Sequence, residues 1–135
     1  MVTDIPVISA DSHITEHPET YSAYIDPKWR DKAPRMIRSK EKGDLFVIDG
    51  ISRPIAMGLV AAAGKDPAEL SMTGAKFEDL HRSGWDSSAR LADQDRDGVS
   101  AEIIYPTVGM MICNHPDADY KKACFDAYNR WIAEY

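Results

Sequence analysis

Two short β-branched runs, separated by one capped helix, constrain this chain more than any other feature. Residues 5–10, "IPVISA", are apolar apart from Pro6 and Ser9. The run is too short for an amphipathic helix and reads as a first strand buried on both sides. In "WDSSARLADQDRDG" the serines stand where a helix cap belongs, Ala89, Leu91 and Ala92 follow, and Gly98 occupies the left-handed position after a helix end. This predicts a helix of about three turns. "VSAEIIYPTVG" then reads as a second buried strand. "DADYKKACFDAYNRWIAEY" gathers Tyr120, Cys124, Ala127, Tyr128, Trp131, Ile132 and Tyr135 on one face of a last, amphipathic helix. Strand, helix, strand, helix in that order predicts an α/β fold with parallel strands joined by a right-handed crossover.

The first strand and the first helix are separated by an insertion. Pro18, Pro27 and Pro34 break "EHPETYSAYIDPKWRDKAPR" into short helical turns and loop. "DLFVIDGISRPIAM" has two apolar segments around Asp49-Gly50, the signature of a tight hairpin. Residues 58–84 carry four glycines without a period and predict a solvent-facing loop, with "DPAELSM" as one helical turn. Residues 36–84 are thus an inserted hairpin and loop. No closing residue follows the last helix, and its wide aromatic face has only two core strands to cover. The expectation is a piece of a longer parent that self-associates through that face when alone.

With 44% hydrophobic residues in 135, the chain suits one domain with a modest core. A net charge of −6, without a basic stripe, speaks against nucleic acid. The first ten residues lack a basic segment, and the longest mainly apolar run, "IAMGLVAAAG", is too short to span a bilayer, so a soluble cytoplasmic protein with no membrane partner is expected. Cys113 and Cys124 form no CxxC pattern and read as free, largely buried thiols.

Chemistry concentrates in "ADSHITEHP". Residues two apart on a strand share a face, so Asp11 and His13 can aim at one point. They are either a ligand pair for zinc, manganese or iron, or a hydrogen-bonded strand end. Glu16 is a third ligand, an acid/base group, or a helix-start carboxylate. His17 lines a pocket or packs at the surface. His115 stands just past the second strand, whose carboxyl end should lie beside that of the first. His81 reads as solvated. Asp93, Asp95, Asp97 and Gly98 match the opening of a calcium loop, but position twelve would be Ile104, which cannot ligate. A solvated acidic helix end, with Arg90 and Arg96 offsetting the charge, accounts for them better. No phosphate-binding loop or nucleophile elbow is present.

Three stretches, "ISADSHITEHPETY", "WDSSARLADQDRDGVSAEIIYPTVG" and "ACFDAYNRWIAEY", together resemble the amino-terminal third of the amidohydrolase-related superfamily. These are metal-dependent TIM-barrel hydrolases that include the aminocarboxymuconate-semialdehyde decarboxylase-like enzymes. In that family the first strand ends in a His-x-His metal pair, and the matching positions here are Asp11 and His13. Its other ligands, a later histidine and aspartate, would lie beyond Tyr135. A complete barrel of this type takes about 250 residues.

The resemblance therefore implies the amino-terminal part of a (β/α)8 barrel, incomplete over residues 1–135. The implied activity is metal-dependent hydrolysis or nonoxidative decarboxylation of a small carboxylate or amide, with zinc first and manganese or iron as alternatives. Asp11 and His13 would hold the metal, Glu16 would stand behind those ligands or face substrate as a catalytic residue, and His17, Tyr105 and His115 would line the substrate pocket. The implied partners are a small-molecule substrate and either further copies or the remaining barrel. By itself the piece would bind metal weakly and turn nothing over. The competing expectation is a small non-catalytic α/β module for interaction or self-association.

Overall fold

The computed structural model describes residues 5–60 and 62–135. Its elements run β1 (Ile8–Ile14), α1 (Thr20–Tyr24), β2 (Arg35–Ser39), β3 (Gly43–Ile48), β4 (Ile51–Ala56), α2 (Ser87–Asp97), β5 (Ala101–Pro106), α3 (Val108–Ile112) and α4 (Ala118–Ile132). β1 and β5 pair in parallel, and β2, β3 and β4 form a separate antiparallel meander. The expected α/β order with a parallel pair is present. The insertion carries one strand more than the hairpin read from sequence, because "RMIRS" is too polar to announce itself.

The β3–β4 connection is the two-residue Asp49-Gly50 turn, with Gly50 at φ 77°. Glycine is required there twice over. A side chain would be strained at that φ, and a Cβ would lie 2.6 Å from Nε2 of His115. α2 is capped by Asp86, whose Oδ1 accepts from the Ala89 N–H at 2.8 Å, and not by the serines expected. It ends at Gly98 in the left-handed conformation, as its sequence predicts.

Several expectations of burial and one of strand length are corrected. β1 and β5 are not buried on both sides: Ile8, Ile103 and Tyr105 are 58%, 51% and 45% exposed on one open face. The strand read into Gly109 stops at Pro106, and α3 follows. The region 58–84 is not wholly solvent-facing, since Phe77 and Leu80 enter the main core, although Pro67–Glu69 does form the expected turn, as a 3-10 helix. That core joins α1, the meander, α3 and α4 through Tyr21, Phe46, Met57, Ile112, Tyr120 and Cys124. The α4 face is largely covered by this chain itself: Tyr120, Cys124 and Ala127 are buried, and Trp29 packs edge-on to Tyr120 at 5.6 Å. Cys124 is buried as expected, whereas Cys113 is exposed.

Candidate functional site at the carboxyl end of the parallel pair

Simple alternation along β1 would put Asp11 and His13 on the face opposite Ile8. The strand does not alternate throughout. Ile8 and Ser9 pair with Ala101 and Glu102, but Ser12, His13 and Ile14 pair with Ile104, Tyr105 and Pro106, so β1 carries an extra residue between Ser9 and Ser12. This β-bulge inverts the side-chain parity. His13 consequently shares the open face with Ile8, Ile103 and Tyr105, while Ser9 and Ser12 meet behind it at 2.7 Å.

On that face Asp11 Oδ1 lies 3.4 Å from His13 Nε2, with side chains 82% and 40% exposed. The Tyr105 ring is 6.0 Å from the His13 ring, tilted by 39°. A carboxylate, an imidazole and a phenol thus meet at the carboxyl ends of two parallel strands. Arg90 of α2, nearly buried, holds this end from behind. It donates from Nη2 to the His13 carbonyl at 2.6 Å, from Nη1 to Glu102 at 2.7 Å, and from Nε to the Tyr135 hydroxyl at 3.1 Å. Burial works against the Glu102 charge, but the Arg90 guanidinium holds its carboxyl below the usual range. Sequence reading left Arg90 as a surface charge. The signal that points to it is Glu102, an acid inside an apolar strand, which demands a cation across the sheet.

Glu16 is fully buried and faces no open space. Its Oε2 accepts from the N–H groups of Thr107 and Val108 at 3.1 and 2.9 Å, and its Oε1 from the Gly109 N–H at 2.8 Å and the Tyr21 hydroxyl at 3.0 Å. Gly109 is fitted closely against Pro106, where a Cβ would fall 2.8 Å from the proline ring. Burial pushes the Glu16 carboxyl up, and these donors pull it part of the way back. Both Glu16 oxygens are engaged in tying the end of β1 to the start of α3, an anchoring part beside the acid/base one expected of it.

His115 is likewise engaged within the fold. Its Nε2 lies 2.9 Å from the Asp49 carbonyl and its Nδ1 3.1 Å from the Asp117 N–H, which donates to it. The ring packs on Tyr120 at 4.4 Å. It clamps the hairpin turn to the start of α4.

His17 is half-buried, its Nδ1 accepting from the Glu19 N–H at 3.3 Å and its ring edge-on to Phe77 at 5.5 Å. It does line a cleft, of about 520 Å³, together with Met36, Arg38, Phe77 and Trp85. On the same wall, Arg38 grips the buried Asp44 with two bonds of 2.8 and 3.0 Å. His81 is exposed, with Ser83 Oγ at 2.8 Å and Asp93 at 3.6 Å. Asp93, Asp95 and Asp97 lie within α2, not in a loop, and Arg96 pairs with the first and last of them. A calcium loop is thereby excluded by backbone conformation as well as by ligand count.

Among the described residues no group of three or more His, Cys, Asp or Glu side chains is placed to hold a metal ion. Asp11 and His13 fit such an ion as two hard-to-borderline donors with open space before them, and no more than two. No helix among the described residues is long and apolar enough to cross a membrane.

Comparison with known proteins places the fold. No family model matches the sequence, and no curated protein does. Among solved structures, an amidohydrolase from Mycobacterium avium subsp. paratuberculosis K-10 is similar at a TM-score of 0.63 and 21% identity. The match covers 98% of this chain, which spans 38% of the length of that one. At that identity the likeness is one of fold, and it takes in nearly every residue described above.

Proposed function

We propose that this chain is the amino-terminal part of a metal-dependent (β/α)8-barrel enzyme that hydrolyses or nonoxidatively decarboxylates a small carboxylate or amide. The observation that carries the reading is the 3.4 Å approach of Asp11 to His13, at the carboxyl end of β1 and beside Tyr105 at the carboxyl end of β5. Barrel enzymes work at that end of their strands. The likeness of fold to part of an amidohydrolase supports it.

Zinc, or manganese or iron in its place, suits a carboxylate oxygen and an imidazole nitrogen. When bound, such an ion polarises a carbonyl or lowers the pKa of a water. The chain's own part is to hold the two donors together and to fix the His13 backbone through Arg90. Tyr105 and His17 are the substrate-lining residues of this reading, and the cytoplasm is its place. Glu16 and His115 are set aside because their polar atoms are already engaged. The rival, a self-association module without chemistry, draws on the exposure of Ile8 and Ile103.

The four histidines provide the test. Manganese(II) added to the chain should broaden the His13 ring signals and the Asp11 amide first, and Asp11→Asn or His13→Gln should remove the effect. Broadening centred on His81, which also has an aspartate nearby, with His13 untouched, would overturn the reading.

A further inference from the structure

A second site lies where β4 faces α3. β4 is the edge of the meander, and its register against β3 shifts between Phe46 and Ile48, across from Arg53 and Pro54. Proline has no N–H to give the ladder, so an irregular edge is where it belongs, and such irregularities re-aim neighbouring side chains. Arg53 here lines a groove of about 260 Å³ whose apolar wall includes Ile55, Leu59, Val60 and Met110. Among the described residues Arg53 makes no ion pair or hydrogen bond, and neither does the Thr107 hydroxyl on the opposite side of the groove. Leu59 and Met110 stand 45% and 48% exposed beside them.

We propose that this groove binds a short unbranched alkyl monocarboxylate, the carboxylate on Arg53 and Thr107 and the chain along Ile55, Leu59 and Met110. One uncompensated guanidinium at the rim of an apolar groove is complementary to one anionic head on an apolar body. The chain's net charge of −6 disfavours a multiply charged anion. No aromatic side chain lines the groove, so it has no stacking platform for a planar ring, whereas thioether walls adapt to a flexible chain. The site uses neither Asp11 nor His13, and it stands or falls apart from the metal reading.

The test is a titration with octanoate below its micelle concentration, read on the methionine methyl signals. Met110 and Met111, which also line the groove, should shift and saturate. Acetate, which has the head without the chain, and octylamine, which has the chain with the opposite charge, should leave them in place. Arg53→Gln should weaken octanoate binding about tenfold through loss of the charge-assisted contact. Met110→Glu, at an exposed position outside the meander, should abolish binding in a folded protein whatever becomes of the Arg53 variant. Octylamine binding as well as octanoate, Met110→Glu binding unchanged, or shifts confined to residues outside the groove would each overturn the proposal.

Discussion

Two buried carboxylates in this chain show how partner chemistry decides what an acid does. Glu16 has only dipoles around it, three backbone N–H groups and a phenol, and burial leaves its carboxyl above the ordinary range. Asp44 has the Arg38 guanidinium in a two-bond grip as well as the Phe77 N–H at 3.0 Å, and its carboxyl is held below the ordinary range, chiefly by Arg38. A depressed carboxyl contributes stability above its unfolded pKa, about 3.9, and that stability is lost as pH falls through the folded value. Asp44→Asn should therefore cost about 2 kcal/mol near neutrality, where Arg38 loses its counter-charge and one of the two acceptor oxygens becomes an NH2 donor. The deficit should shrink as the pH falls below about 4, because only the parent chain loses this contribution. Urea unfolding across that range measures both, and a deficit that holds constant or grows on acidification would remove Asp44 from the account. Neither acid is distinguishable by sequence from its exposed neighbours: Glu16 looks like a helix-start residue and Asp44 like the polar end of a strand.

At the scale of elements, α2 does not pack in the way its apolar residues suggest. Leu91 is 60% exposed, and the buried position is Arg90, so the helix turns a polar face to the sheet. The reason is Glu102 on β5, which is more costly to bury unpaired than Leu91 is to expose. Arg90 then ties α2 to β5, to the His13 carbonyl of β1 and to Tyr135 after α4, four segments through one side chain. Arg90→Met should cost about 3 kcal/mol, because it strands Glu102 behind the sheet. Adding Glu102→Leu should restore most of that loss, with the His13 carbonyl bond remaining unmade. Unfolding free energies of the two singles and the double form the cycle, and strictly additive losses would show that the pair is not the hub described here.

Across the whole molecule, the main core lies between α1, the meander, α3 and α4, and the parallel pair is covered on one face only. Ile8, Ile103 and Tyr105 leave an apolar strand face exposed, whereas Tyr120, Cys124 and Ala127 on the aromatic side of α4 are buried. In sedimentation velocity the chain should associate with rising concentration, and Ile8→Lys with Ile103→Lys should return it to a monomer. Trp131→Ser, on α4, should not; if it alone abolished association, the aromatic face would be the sticky one after all. What the sequence determined was local and short-ranged. The parallel order follows from run lengths, the Asp49-Gly50 turn and the Gly98 stop from positive-φ chemistry, and the Asp11-x-His13 pairing from residues two apart. What only the tertiary structure decided involves groups far apart in the chain. The bulge that sets the face of His13 appears only when β1 is laid against β5. Glu16 is spent on amides some ninety residues away in the chain, His115 on a turn built by the insertion, and Arg90 on a carbonyl 77 positions earlier. Hydrogen-bond partners of buried polar groups are selected by the assembled fold, and periodicity and propensity carry no term for them.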